Sequence, residues 1–193
     1  MMKIGLTGGI GSGKTTVSHI FQALGYPVYI SDTRASWLIN HHDGIKRALV
    51  SLFGKSIYLL TGELDKKKLA SLIFNDKERI EQVNKIVHPV VTEDFLEWSK
   101  AQNTPFLFFE SAILFEAGLT SIFDYIITVT ANRETRIQRA MKRDMVGREK
   151  IIERIDNQLP DAKKCLQSDF IIYNNDSDRL LEQIIEIVKK LKA

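Results

Sequence analysis

The sequence predicts an α/β fold, a five-stranded parallel sheet flanked by helices, carrying a helical insertion and a helical lid. Three observations lead there. Apolar runs of strand length recur at residues 3–7 ("KIGLT"), 26–31 ("YPVYIS"), 106–111 ("FLFFES"), 125–130 ("YIITVT") and 170–174 ("FIIYN"). They are continuous rather than alternating, the pattern of strands covered on both faces of a parallel sheet. Between the first two lies "TTVSHIFQALG", where Val17, Ile20, Phe21 and Leu24 fall at helical spacing and Gly25 supplies a stop. The third observation is the uneven spacing of the later runs, which leaves room for two helical excursions.

The first excursion lies between the second and third strands. It contains the helical patterns "TRASWLIN", "DGIKRALVSLFG" and "DKKKLASLIF", and a long one from Asp76 through Trp98 that Pro89 should interrupt, because the residue before proline is pushed out of helical geometry. The second excursion, residues 131–168, carries ten Lys/Arg against six Asp/Glu, a local charge of +4 in a chain of net charge +3. No repeat, low-complexity tract or linker argues for a second independent domain. We expect one domain over 1–193, with a core of 1–32, 105–130 and 169–193, an insertion at 33–104 and a lid at 131–168.

Composition narrows the function. At 44% hydrophobic and 26% charged, the 193 residues have an ordinary globular balance. The small net charge gives no bulk field for nucleic acid, so no nucleic-acid partner is expected. Cys165 is the single cysteine, which excludes an internal disulfide and a cysteine-based zinc site and suits a reducing compartment. With no signal-peptide pattern and no long apolar run, the expectation is a cytoplasmic chain without a membrane partner. The residues carry no signal for an oligomeric state.

The chemistry begins at Gly8-Gly9-Ile10-Gly11-Ser12-Gly13-Lys14-Thr15, which fits G-x-x-x-x-G-K-[ST] between a strand and a helix. Such a turn aims backbone N–H groups and a helix dipole at one point, which attracts phosphate. Gly8, Gly9, Gly11 and Gly13 permit the tight wrap, with Ser12 and Thr16 in the same nucleotide-binding stretch. Lys14 is expected on the outer phosphates and Thr15 on Mg²⁺, with ATP as co-substrate. A switch GTPase would also need a guanine-reading N-K-x-D, and "NKIV" at 84–87 lacks the aspartate. A small-molecule kinase needs an acceptor-binding insertion, a carboxylate near the acceptor hydroxyl and cations that close over the γ-phosphate, and all three have candidates.

Asp32 closes the second strand at the edge where open α/β sheets bind ligands, and it could equally cap the following helix. Glu110, ending the third strand, either orders the water around a magnesium ion or is a solvated carboxylate. Arg136, Arg139 and Arg143, at i, i+3 and i+7, would share one helical face suited to phosphate, or be a solvated stripe. His88 before Pro89 has a structural reading as well as a functional one. Phe106, Phe108, Phe109 and Phe115 look like core.

With these pieces in place the chain resembles the dephospho-CoA kinase family over essentially its whole length. The carrying stretches are "IGLTGGIGSGKTTV", "ISD" for the family's D-A-D at its second aspartate only, "GELDKKKLASLIF" for G-x-[IL]-D-R-x-x-L-x-x-x-[VI]-F, and "IVHPVV" for I-x-H-P. Further on come "ILFE" for the P-L-L-F-E run, "QRAMKRD" for the Q-x-x-R-x-x-x-R-D pattern, and "NND" for N-N-G. Departures stand at Ile30, Ser36, Lys66 and Ala112. The resemblance implies a P-loop kinase fold and transfer of the γ-phosphate of ATP to the ribose 3′-hydroxyl of dephospho-CoA, with Mg²⁺. It implies Asp32 as base or orienter, Lys14 and Arg139 as catalytic cations, and Arg143 as a nucleotide-binding residue on the lid helix. It also implies Asn174 and Asn175 beside the nucleotide base, and His88 and Pro89 with Asp32 on the acceptor.

Overall fold

A computed structural model describes residues 1–74 and 76–192. Residue 75 of the predicted insertion and residue 193 of the predicted core lie outside them. The sheet comprises β1 (Met2–Thr7), β2 (Val28–Ile30), β3 (Phe106–Glu110), β4 (Tyr125–Thr130) and β5 (Phe170–Tyr173), in the order β2-β3-β1-β4-β5. β1 runs parallel to both neighbours, pairing Leu6 with Glu110 on one side and with Ile127 on the other. β4 and β5 are parallel as well.

The strands are buried because both faces are covered. Ile4, Leu6, Ile127, Val129 and Phe106 through Phe109 have essentially no exposed surface. α1 (Lys14–Ala23) lays Phe21 on Phe108 at 3.9 Å between ring centroids, and Tyr26 stacks on Phe106 at 4.4 Å. Buried aromatics of this size are the largest single hydrophobic contributors a sheet can have. Phe115, expected in the core, is only half-buried, since it follows the strand in the loop after β3.

Chain contacts divide the molecule into two compact units, Met1–Tyr29 with Gln102–Ala193, and Ile30–Ala101. The first contains the sheet, α1, and α6 (Arg133–Asp144), α7 (Arg148–Asp156), α8 (Asp161–Leu166) and α9 (Leu180–Lys192). The basic excursion therefore packs in the same unit as the sheet, around its own small core of Ile137, Ala140, Ile151 and Ile155.

The second unit contains α2 (Ser31–His41), α3 (Asp43–Phe53), α4 (Lys66–Ile73) and α5 (Lys77–Lys100). α5 buries Val87, Val91, Phe95 and Ser99, one residue per turn on one face. Arg34 of α2 makes a two-pronged ion pair with Asp94 of α5, both hydrogen bonds being 2.7 Å. The expected break at Pro89 does not occur: α5 is continuous from Lys77 to Lys100 with Pro89 inside it. Proline costs the helix one hydrogen bond, here at the carbonyl of Lys85. Both residues are exposed, so water can satisfy the freed group while the buried face holds the two halves in line.

The local +4 of residues 131–168 is largely engaged within the unit. Arg133 meets Asp156 at 2.6 Å, Arg148 meets Glu134 at 2.7 Å, and Asp144 accepts from both Arg143 and Arg154. Hydrogen bonds from Arg148 and Gln138 hold the Glu134 carboxyl down to about 2, from an ordinary 4.5, and those from Arg143 and Arg154 hold Asp144 well below its ordinary value. A carboxylate depressed by folding lends stability above its unfolded value and loses it as pH falls toward its folded one. The α6–α7 pair should thus loosen between about pH 4.5 and 2, by less at high salt, where screening has already weakened these surface pairs. Helical circular dichroism across that range checks this, and Glu134→Gln should flatten the curve.

Candidate active site

β1 lies between β3 and β4, while its own connection crosses β3 to reach β2. The chain therefore leaves the ends of β1 and β3 in opposite directions, and a crevice opens there, the position at which open α/β sheets bind ligands. The glycine loop emerges from β1 into that crevice. Gly11 and Gly13 have φ of 77° and 88°, a left-handed backbone that side chains rarely adopt. Neighbours also require glycine: a Cβ on Gly13 would overlap the Asn174 amide, one on Gly11 the backbone of Arg136, and one on Gly9 the Arg136 guanidinium.

Lys14 begins α1, and its ammonium meets the carboxylate of Glu110 at the end of β3; the side chains are 11% and 4% exposed. Glu110 is thus neither solvated nor alone, which the sequence left open. The Ser12 hydroxyl is fully buried with no partner among the described residues, and so is that of Thr7. Buried hydroxyls in proteins are nearly always satisfied, so an orphan within a phosphate loop suits a polar group bound there. Thr15 and Thr16, in the first turn of α1, are exposed.

The three arginines of α6 do not form one phosphate-facing stripe. Arg136 is 4% exposed, with Nε donating to the Ile10 carbonyl (2.9 Å) and Nη1 paired to Asp161 (2.6 Å). It sits behind the loop because the helix face that carries it is the one packed on the core. Arg139 donates to the Asn174 carbonyl (2.7 Å) and to Asp176 (2.8 Å), within reach of Gly13. Arg143 is exposed and paired with its neighbour Asp144. Asn174 sends its amide to the Ser12 carbonyl (2.8 Å), and Asn175 accepts from Asn132 N–H (2.8 Å) while bonding Asp178.

In the second unit Asp32 is not a helix cap. α2 starts at Ser31 and takes Ile30 as its N-cap, with no side-chain cap bond, so Asp32 lies exposed in the first turn. The strand stops earlier than its apolar run, which shifts Asp32 from strand end into helix. It lines a cavity of about 330 Å³ with Ser36, Asn40 and Lys66 at its polar side and Ile39 and Leu69 among its apolar walls. Ser36 and Lys66, two departures from the family pattern, thus face the same space. His88 and Pro89 lie on α5, outside that lining. His88 is half-buried, and burial pushes its imidazole below the ordinary value.

Sequence reasoning missed Asp161, Gln158 and Thr130. Asp161 accepts from the Thr130 hydroxyl (2.9 Å) and Gln158 accepts from Ile10 N–H (2.9 Å). No local pattern marks them, because each meets its partner from 31 or 148 residues away.

A family model described as dephospho-CoA kinase matches residues 2–179. This chain belongs to the dephospho-CoA kinase family. Among the family's curated members, the dephospho-CoA kinase of Bacteroides fragilis is 39% identical over 97% of this chain and 91% of its own length. That of Porphyromonas gingivalis W83 is 38% identical over 100% and 96%. A crystal structure from Thermus thermophilus superposes with a TM-score of 0.87 at 32% identity, covering 98% of this chain and 96% of that one. The chain is accordingly a P-loop kinase, and its sheet and glycine loop are those of that fold.

The loop supports one prediction directly. Gly13→Ala must place a side chain at φ 88° and displace the Asn174 amide. The left-handed strain alone is about 1–2 kcal/mol. We expect the melting temperature to fall by several degrees and ATP affinity to drop at least about tenfold, read by thermal unfolding and nucleotide titration.

Proposed function

We propose that this site transfers the γ-phosphoryl group of ATP to the ribose 3′-hydroxyl of dephospho-CoA, the last step of coenzyme A biosynthesis, with the following division of labour. The N–H groups of Gly9, Gly11, Ser12, Gly13 and Thr16 cradle the phosphates. Lys14 neutralises the outer phosphate oxygens, leaving Glu110 for them as they bind. Arg139 and Arg143, on α6, offer guanidinium forks to the transferring group as the lid closes. Asn174 and Asn175 flank the nucleotide while bracing the loop. Asp32 accepts a hydrogen bond from the 3′-hydroxyl, orienting its lone pair and taking its proton. The acceptor occupies the cavity beside Asp32, with His88 and Pro89 shaping its unit.

The observation that carries this reading is the Lys14–Glu110 pair, a buried cation held at the phosphate loop in the sheet's ligand crevice. Phosphoryl transfer asks mainly for positioning and charge neutralisation, and that pair presets both. Among the described residues no cluster of His, Cys, Asp and Glu is built to hold a metal by itself. Mg²⁺ would then take the Thr15 hydroxyl, phosphate oxygens and water, the donor set it prefers beside a nucleotide, and it would offset charge on the β- and γ-oxygens. The chain operates in the cytoplasm in this reading; no helix among the described residues is long and apolar enough to cross a membrane.

ADP release measured with dephospho-CoA, nucleoside monophosphates, shikimate or no acceptor tests the assignment. Turnover should be confined to dephospho-CoA and vanish in excess chelator. Faster turnover of another acceptor removes the substrate assignment, and full activity in chelator removes the metal.

A further inference from the structure

The glycine loop is gripped from outside its phosphate-facing side. Ile10, at the apex, is held at both ends: its N–H donates to Gln158 in the connector between α7 and α8, and its carbonyl accepts from Arg136, each at 2.9 Å. Its side chain packs against the small core of α6 and α7. Two residues later the Ser12 carbonyl accepts from Asn174 (2.8 Å).

A trans peptide is planar, and its C=O and N–H point in opposite directions. Tying the Ile10 carbonyl to Arg136 therefore turns the Gly11 N–H the other way, and tying the Ser12 carbonyl to Asn174 does the same for the Gly13 N–H. Glycines have little backbone preference of their own, so a loop built from Gly8, Gly9, Gly11 and Gly13 would otherwise sample many amide directions. The grips are themselves braced. Arg136 is pinned by Asp161, and the connector by Glu116, which accepts from Leu159 N–H (2.8 Å) and meets the fully buried Lys164 (2.9 Å). Lys164 in turn donates to the Ala112 carbonyl (2.7 Å), two residues past Glu110. A buried ammonium is tolerated only when paired, and Lys164 has both a carboxylate and a carbonyl partner here.

We propose that Arg136 and Gln158 are positioning residues that act through Ile10 to aim the loop's amide groups before the nucleotide arrives. The proposal rests on the phosphate-binding reading of the loop. Preset donors bind phosphate without spending free energy on reordering, so their loss should appear in nucleotide affinity and not in acceptor affinity.

ATP affinity of the full chain is to be measured calorimetrically for the parent, Arg136→Lys and Gln158→Met, beside steady-state constants and melting temperatures. Lysine keeps a charge for Asp161 and loses the second donor to Ile10; methionine keeps bulk and loses the acceptor. Each variant should weaken ATP at least about tenfold, raise the KM for ATP in proportion, and leave the KM for dephospho-CoA within about twofold. The melting temperature should stay within a few degrees. Parent-like ATP affinity in both variants overturns the proposal, because the loop then orients itself. So does an equal loss for both substrates together with a lowered melting temperature, the mark of residues that only hold the fold. A parent chain that fails to bind ATP is a separate outcome, and overturns the phosphate-loop reading itself.

Discussion

Lys14→Ala should cut turnover about 10²–10³-fold while leaving a folded protein of reduced stability. Removing one preset charge or donor from a reacting centre costs about 2.7–4 kcal/mol of transition-state stabilisation, or roughly 10²–10³-fold in kcat. A charge on the transferring phosphate itself belongs at the upper end of that range. The stability loss has a different origin. Glu110 is 4% exposed, and without Lys14 its carboxylate is buried and unpaired. Breaking a buried pair from one side costs about 3–5 kcal/mol before any rearrangement or protonation relieves it. The double variant Lys14→Ala with Glu110→Gln removes that unpaired charge, so it should regain most of the melting temperature and none of the turnover. This separation distinguishes a catalytic cation from a structural one. If the double variant is folded and turns over at more than a tenth of the parent rate, the loop is not the reaction centre.

Asp32→Asn is expected to lose at least a hundredfold in turnover with dephospho-CoA at almost no structural cost. The side chain is exposed in the first turn of α2 and makes no cap bond, so asparagine of the same shape removes nothing that holds the helix. A negative charge in a first turn is worth only about 0.3–1 kcal/mol through the helix dipole, and less in salt. General-base catalysis is worth ~10²–10⁴-fold. The two contributions differ enough for one mutant to decide. Melting temperature within a few degrees, normal ATP affinity and a collapsed kcat would identify Asp32 as the group that handles the acceptor's proton. Turnover above a third of the parent's would leave that proton to another group and reduce Asp32 to a lining residue of the cavity.

The sequence by itself determined whatever depends on short-range pattern. Continuous apolar runs specified the five strands, because a strand covered on both faces has no solvent side on which to alternate. The glycine spacing specified a loop that needs left-handed backbone, and Lys14 and Thr15 followed from their place at the head of a helix. Even Asp32 was legible as a candidate, although its reading as a cap failed when β2 ended at Ile30, two residues before it.

Only the tertiary structure decided which partners those residues meet. Glu110 faces Lys14 from 96 residues away because β3 lies beside β1 in the sheet order, which no local pattern specifies. Arg136 looked like a phosphate ligand by helical spacing, yet the packed face of α6 turned it into a brace for Ile10. Pro89 looked like a break, yet buried Val87 and Val91 on either side kept α5 whole. The physical reason is common to all three. Periodicity and turn chemistry report the backbone conformation a segment prefers, worth tenths of a kcal/mol to a few kcal/mol locally. A side chain's partner is chosen by which buried surfaces close on one another, and that choice belongs to the whole core.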